Sequence, residues 1–256
     1  MEILSVAFAA LMGMAVGSFL NVCIWRLPRH ESLLTPSSHC PSCGKSIAIY
    51  DNIPVVSFLL LRGRCRSCRQ PISWRYPLVE LANGLAYVML LWRYGLGWPT
   101  AVYAALFSAL LVITAIDLDH QIIPDRITLP GMALGLVAAA WVLPHGFVSG
   151  LAGLLVGGGL FYLVALLSRG GMGGGDIKMI AMVGAFLGWK AVLLTIFLGA
   201  LAGSFVGLFL ILFRGKNRKT PVPFGPFLSL GAAASLFWGP GIIEWYRAFS
   251  IFTGVP

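Results

Sequence analysis

Residues 170–213 read GGMGGGDIKMIAMVGAFLGWKAVLLTIFLGALAGSFVGLFLILF, a glycine-rich loop with one aspartate and one lysine, followed by a long apolar run. A segment of about 20 apolar residues spans a bilayer, and this run is long enough to supply two predicted spans. The loop matches neither common phosphate-binding motif, because its glycine spacing breaks Gly-x-Gly-x-x-Gly and no Gly-Lys-Ser or Gly-Lys-Thr follows. The stretch therefore predicts membrane helices with a single carboxylate, Asp176, at their entrance.

The whole chain has the composition of a membrane protein. Of its 256 residues, 58% are hydrophobic and 11% are charged, which leaves too few charges for the surface of a soluble protein. We predict an all-α polytopic membrane protein with about eight transmembrane helices. The first apolar run is taken as a retained helix, because no signal-peptide cleavage site ends it. The predicted spans are 3–25, 77–92, 99–116, 127–143, 148–167, 177–189, 191–213 and 226–246.

The basic residues concentrate on one side of these spans. With the N-terminus outside, 15 of the 18 lysines and arginines lie in inner loops and 3 lie outside. Because basic residues favour the cytoplasmic side, this asymmetry predicts an N-out, C-out topology. The short span 177–189 must cross for the cluster Arg214, Lys216, Arg218 and Lys219 to stay inside. Topology and anionic lipid account for the net charge of +9, so we expect no nucleic-acid partner.

Small residues at four-residue spacing predict where helices contact one another. One pair is Gly13 and Gly17, and a longer row is Gly199, Gly203 and Gly207. Because glycine has no side chain, two helix backbones approach closely at such positions. We expect a neighbouring helix against each set.

The long polar segment 26–76 contains two Cys-x-x-Cys pairs, Cys40 with Cys43 and Cys65 with Cys68, separated by 21 residues. Four thiolates at this spacing are typical of a tetrahedral zinc site built from two knuckles. Two disulfides or a redox pair are the alternatives, and a reducing cytoplasm disfavours structural disulfides. We predict a structural Zn²⁺, because four protein ligands leave no open position for catalysis.

Four carboxylates cluster at the predicted cytoplasmic face. AIDLDHQIIPD closes the third span with Asp117, Asp119 and Asp125, and Asp176 follows the fifth span. Asp117 is the deepest, whereas Asp119 points elsewhere on a helix and Asp125 lies beyond the predicted helix end. Asp176 begins a helix, whose N-terminus favours an anionic side chain. No comparable help is visible for Asp117.

Two carboxyl groups within hydrogen-bond reach can share one proton and activate a water molecule between them. This aspartic-protease chemistry predicts Asp117 and Asp176 as the catalytic residues. The glycine loop then leaves room for a peptide backbone and is able to close over it. Paired membrane carboxylates also serve proton- or metal-ion-coupled transporters, and the residues alone leave the two functions about level.

Five stretches, in order along the chain, resemble the bacterial type IV prepilin peptidases. The glycine–aspartate motif alone is also similar to presenilin-type and archaeal preflagellin proteases, whereas the ordered set is specific. The stretches are GSFLNVCIWRLP (17–28), the cysteine loop with its flanks (40–80), IDLDHQIIPDRITLPG (116–131), GMGGGDIKM (171–179) and VPFGPFLSLG (222–231).

The resemblance implies a multi-pass aspartic endopeptidase of the bacterial inner membrane. Such an enzyme cleaves the basic leader of prepilins or pseudopilins, in type IV pili or type II secretion, at the cytoplasmic face. It then N-methylates the new N-terminal residue with S-adenosylmethionine, for which the resemblance assigns no binding residues. The family's catalytic aspartates fall on Asp117 and Asp176. The implied parts are a first transmembrane helix (1–25), a zinc-binding loop associated with methyl transfer (26–76) and an aspartic protease bundle (77–256).

Overall fold

The computed structural model of the protein describes residues 3–168, 171–214 and 223–253. Within these residues the structure is helical and contains no β-strand, which confirms the all-α prediction. Two 3₁₀ turns, Leu27–Arg29 and Ile49–Asp51, lie in the polar segment after the first helix. The helices are α1 (Ile3–Arg26), α2 (Val56–Leu60), α3 (Arg75–Tyr94), α4 (Trp98–His120), α5 (Asp125–Trp141), α6 (Gly146–Leu167), α7 (Gly174–Arg214) and α8 (Gly225–Thr253).

Five helices of the described residues are long and apolar enough to cross a membrane. They are α1 with its following turn, α4, α6, α7 and α8. The helices α3 and α5 coincide with two further predicted spans, 77–92 and 127–143. Neither of them combines the length and the hydropathy by which the other five qualify as membrane spans. The chain is therefore a helical membrane protein.

Helix α7 has 41 residues and is interrupted at Gly188, whose φ of 79° and ψ of 171° are not helical. A straight α-helix of that length is about 60 Å long, twice the thickness of a bilayer's hydrocarbon core. Only glycine adopts this backbone conformation readily, and a Cβ at Gly188 would also lie 2.6 Å from the Oγ of Ser149. The break falls next to the predicted boundary between spans 177–189 and 191–213.

The first compact unit of the chain is Met1–Ile116, in which α1 packs against α3. A Cβ on Gly13 would lie 2.8 Å from the Cα of Gly84, and one on Gly17 would lie 2.7 Å from the Cα of Glu80. The expected contact at this glycine pair is thus confirmed. Asn83 is fully buried here and ties three helices together, because it donates to the Gly13 carbonyl (2.8 Å) and accepts from Ser108 (3.0 Å).

The second compact unit is Asp117–Pro256, and its helix contacts are also built on glycine. Gly199 packs against the Phe227 carbonyl of α8, and Gly203 packs against the Phe224 ring, as expected from their spacing. The expected contact at Gly207 is wrong for the described residues, since a Cβ there would meet none of their atoms within 4 Å. The close approach of α6 and α7 at Gly153 and Gly184 was not predicted.

Candidate active site and metal centre

Asp117 lies in the last turn of α4, and its side chain is only 5% exposed. The preceding apolar residues Ile113 and Ile116 are fully buried, and Asp117 is buried with them at the end of the helix. Its Oδ2 accepts a hydrogen bond from the backbone N–H of Gly225, at 3.0 Å. A buried carboxylate is costly unless it is hydrogen-bonded, and this contact supplies the partner.

Gly225 is the first residue of α8, so the carboxylate of Asp117 caps a helix N-terminus. The positive end of the helix dipole and its free N–H groups stabilise an anion at this position. A Cβ on Gly225 would lie 2.7 Å from Oδ2 of Asp117, so glycine is the residue that allows the contact. The expectation that Asp117 has no such help is therefore wrong. The Gly-Pro pair that opens an apolar segment was the available signal, since proline favours the first turn of a helix.

Asp176 lies in the first turn of α7 and is half-buried. Its backbone N–H donates to the carbonyl of Gly173 at 3.2 Å, which closes the turn that enters the helix. The carboxyl group of Asp176 interacts electrostatically with that of Asp117. The structure therefore brings together, within one unit, the two aspartates that the sequence predicted as a pair.

The other two carboxylates of the cluster have different surroundings. Asp125 opens α5 and forms an ion pair with Lys178 of α7, in which Nζ lies 2.7 and 2.8 Å from the two carboxylate oxygens. Both side chains are substantially exposed, so this pair contributes little stability. Asp119 is exposed near the end of α4. Neither shares the buried setting of Asp117.

The loop glycines before Asp176 have unequal roles. A Cβ on Gly175 would lie 2.8 Å from the Cβ of Ile123, so this glycine allows the start of α7 to pack closely on the preceding loop. A Cβ on Gly174 would meet no described atom within 4 Å, so the loop is open at this position. Gly170, the first residue of the quoted loop, lies outside the described residues.

The four predicted cysteine ligands lie together in the first unit. The Sγ atoms of Cys40, Cys43, Cys65 and Cys68 are all within 4.8 Å of one another. The Sγ atoms of Cys40 and Cys68 are 3.8 Å apart, and four Zn–S bonds of about 2.3 Å in a tetrahedron require a sulfur separation of about 3.8 Å. All four thiols are free of disulfides. The cluster can therefore hold a tetrahedral metal ion.

Both cysteine pairs sit in the same local backbone structure. In each, the first cysteine accepts an N–H from four residues ahead and donates its own N–H to a carbonyl five residues ahead. The distances are 2.8 Å for Gly44 to Cys40, 2.9 Å for Cys40 to Lys45, 3.0 Å for Arg69 to Cys65 and 2.9 Å for Cys65 to Gln70. This repetition is the two-knuckle arrangement that the spacing predicted.

Backbone amides also favour the metal-binding form of one cysteine. Hydrogen bonds from the backbone of Cys68 and then of Ser67 are the leading causes that lower the pKa of Cys65 to about 6. The thiolate is the form of cysteine that ligates metals. The backbone of this knuckle thus favours the thiolate form of Cys65, which binds a metal ion.

Comparison with known proteins adds independent information. Residues 11–94 match the family described as "Bacterial Peptidase A24 N-terminal domain", and residues 104–208 match the "Type IV leader peptidase family". Three similar relatives carry the name "Prepilin leader peptidase/N-methyltransferase". They come from Aeromonas hydrophila (38% identical, covering 92% of this chain and 91% of the relative), Pseudomonas putida (38%, 93% and 92%) and Pseudomonas aeruginosa (37%, 94% and 93%). No solved structure matches the chain.

Proposed function

The chain belongs to the type IV leader peptidase family, and we propose that Asp117 and Asp176 are the residues with which it cleaves. It is a prepilin leader peptidase and N-methyltransferase, which makes prepilins its substrates and S-adenosylmethionine its methyl donor. The observation that supports the catalytic assignment is the buried carboxylate of Asp117 at the N-terminus of α8, in the same unit as the half-buried Asp176 in the first turn of α7.

The two carboxyl groups have complementary roles in the proposed cleavage. The helix N-terminus favours the anionic form of Asp117, which takes a proton from a water molecule as its oxygen attacks the scissile carbonyl carbon. Asp176 donates a proton to the carbonyl oxygen. The carbon–nitrogen bond then breaks as Asp117 passes its proton to the leaving amine. Asp176 takes a proton back from a hydroxyl of the tetrahedral intermediate as the new carboxyl group forms, so the pair again holds one shared proton. The open side of Gly174 is where the peptide backbone approaches.

Methylation consumes the amine that cleavage releases. The neutral α-amino nitrogen attacks the methyl carbon of the sulfonium donor. The sulfur–carbon bond breaks with its electron pair left on sulfur, and the new ammonium group loses a proton.

Both families that match the chain are peptidase families, so ion-coupled transport by the same carboxylates gains no support.

Purified protein incubated with a prepilin peptide, with and without S-adenosylmethionine, tests the proposed function. Mass spectrometry is expected to show loss of the leader in both samples, and addition of one methyl group only with the donor. A membrane scaffold would leave the peptide unchanged. A transporter would leave it unchanged as well, and would show ion flux in proteoliposomes that depends on Asp117 and Asp176.

We further propose that the cysteine cluster binds a structural Zn²⁺. Four thiolates fill the tetrahedron, so the ion holds the loop 26–76 together rather than activating substrate. A segment of this size with many exposed apolar side chains has little core of its own, and metal binding supplies folding free energy.

Replacing Cys43 or Cys65 by Ser is expected to remove the zinc. Elemental analysis of the purified variant should fall from one zinc per chain to near none, and limited proteolysis should cut the loop faster. Cys23→Ala is the matched control, because this thiol is buried in α1 away from the cluster. Full zinc content in the Cys65→Ser variant, or no zinc in the unmodified protein, contradicts the proposal.

Substitutions at the residue after each cysteine pair give a second test, because they should change the rate of zinc loss in opposite directions. Gly44 and Arg69 both have left-handed backbones, with φ of 69° and 61°. A side chain in this conformation costs about 1–2 kcal/mol, and glycine offsets part of that through its freedom in the unfolded chain. We expect Gly44→Ala to speed zinc loss to a chelator several-fold and Arg69→Gly to slow it. Equal rates in both variants would contradict the knuckle geometry.

We also propose that the chain crosses the bacterial inner membrane eight times, with both ends outside. The break at Gly188 and the basic inner loops support this count. The cluster Arg214 to Lys219 extends beyond the described residues.

The proposed parts are the first helix 1–25, the zinc loop 26–76, associated with methyl transfer, and the protease bundle 77–256. Proposed partners are pseudopilins, besides prepilins, and membrane lipid, without nucleic acid.

A further inference from the structure

A cavity of about 360 Å³ lies in the first unit between one face of α1 and the loop that follows it. Its size is within the range of small-molecule sites, about 300–1,000 Å³. The wall from α1 consists of Ala15, Ser18, Phe19, Val22 and Arg26, which recur at helical spacing. The loop contributes Leu33, Leu34, Pro36, Ser37, Ser38, Asn52 and Pro54.

Arg26 is the unusual member of this wall. Only 5% of its surface is exposed to solvent, and its guanidinium donates to the carbonyls of Ser32 (2.9 Å) and Pro36 (2.6 Å). In the described part of the chain no carboxylate forms an ion pair with it. Buried arginines are normally paired with an anion, so a cation facing a cavity without one fits a ligand that brings its own carboxylate.

The remaining wall has two further kinds of surface. Phe19 offers an aromatic face, on which a purine stacks favourably, and Leu33 and Val22 extend the apolar side. Ser37 and Asn52 offer hydroxyl and amide groups that suit the hydroxyls of a ribose. One cavity thus combines a buried cation, an aromatic face and neutral hydrogen-bonding groups.

The loop side of the cavity is held in place by a separate contact. The buried Glu80 of α3 accepts the backbone N–H of Val55 at 2.7 Å, and Val55 follows the wall residue Pro54. Val55 has a φ of 61°, which is strained for a β-branched residue, and its neighbours close a γ-turn with a 2.6 Å hydrogen bond from Val56 to Pro54. Strain of this kind persists where the surrounding structure fixes the backbone, and it is common around ligands.

We propose that this cavity binds S-adenosylmethionine, with Arg26 holding the carboxylate of its amino-acid end and Phe19 contacting the adenine. The inference rests on the proposed function, which requires this donor but assigns it no residues. A guanidinium binds a carboxylate through two charge-assisted hydrogen bonds, and two of its N–H groups already fix it to the loop. The assignment places methyl-donor binding in the first unit, whereas both proposed catalytic aspartates belong to the second.

The test is the affinity of purified protein in nanodiscs for labelled S-adenosylmethionine. Arg26→Gln is expected to weaken binding at least about tenfold, as expected for loss of a charge-assisted hydrogen-bond pair, and to raise the KM for the donor similarly. Ala15→Trp adds a large side chain to the same wall, 11 residues before Arg26, and should weaken binding as well. Arg29→Gln is the matched control, because Arg29 is exposed and stacks on Trp25 outside the cavity.

The outcomes separate this site from the proposed function. If the unmodified protein neither cleaves nor methylates, the proposed function fails. If it does both, and Arg26→Gln and Ala15→Trp bind the donor as the unmodified protein does, the donor site is elsewhere. A lipid phosphate is the competing anion at Arg26. Unchanged donor affinity together with reduced retention of phosphatidylglycerol in Arg26→Gln would assign the cavity to lipid and overturn the proposal.

Discussion

Replacing Asp117 or Asp176 by Asn is expected to lower the rate of leader cleavage at least about 1,000-fold, since each removes a proton-transfer group. Asparagine has nearly the same size as aspartate, so packing around the buried position 117 changes little. It cannot take a proton from water or pass one to the leaving amine. The measurement is the initial rate of leader removal from a prepilin peptide by the purified variants, at saturating substrate.

Asp119→Asn and Asp125→Asn are the matched controls, because they remove a carboxylate from the same cytoplasmic cluster. Asp119 is exposed, and Asp125 pairs with Lys178 at the surface, so both variants should keep measurable cleavage. The double variant Asp117→Asn with Asp176→Asn should be about as slow as either single variant, because the two groups act as one unit. Processing by either single variant at the unmodified rate would overturn the catalytic assignment.

Gly225→Ala is expected to lower cleavage about 100-fold, the cost associated with displacing a catalytic group by roughly 1 Å. The new methyl group would lie 2.7 Å from Oδ2 and 3.2 Å from Cγ of Asp117, which is closer than ordinary van der Waals contact. The carboxylate must therefore move away from the N–H of Gly225, which it now accepts at 3.0 Å. The measurement is kcat for leader cleavage, with the protein's thermal unfolding followed in parallel.

Gly241→Ala is the control for this prediction, since it lies in the same helix and its added methyl group would meet no described atom within 4 Å. Both substitutions replace glycine by a better helix former, so helix propensity alone would stabilise both variants. A double-mutant cycle adds a second check. If Gly225 acts through Asp117, Gly225→Ala should slow the Asp117→Asn enzyme little further. Full activity in Gly225→Ala would show that the contact is not needed.

Several parts of the structure followed from local pattern alone. The apolar runs predicted the positions of the long helices, because their length and composition determine where a helix can lie. The two Cys-x-x-Cys pairs predicted a four-thiol cluster, since each knuckle is a short local turn with its own hydrogen bonds. The glycine spacing at Gly13 and Gly17 gave the contact of α1 with α3.

Other features depend on residues that are far apart in the chain. Asp117 caps the N-terminus of α8 at Gly225, which lies 108 positions further along the chain, and neither residue's neighbours in sequence indicate the other. Gly153 and Gly184 bring α6 and α7 together, and each has a second glycine four residues on, Gly157 and Gly188, whereas Gly207 belongs to a four-residue row without a contact among described residues. Small residues at regular spacing show where a helix can be approached closely, but only the tertiary structure shows which helices pack there.

The sequence by itself determined that this is a helical membrane protein with a four-cysteine loop and a small set of candidate carboxylates. Those properties depend on composition and on short spacings, which act within one helix or one turn. Only the tertiary structure decided that Asp117 sits at the N-terminus of α8, and that Arg26 faces a cavity without an anionic partner among described residues. Burial and electrostatic interaction are properties of neighbours in space, and the environment of a charge is therefore set by packing between helices.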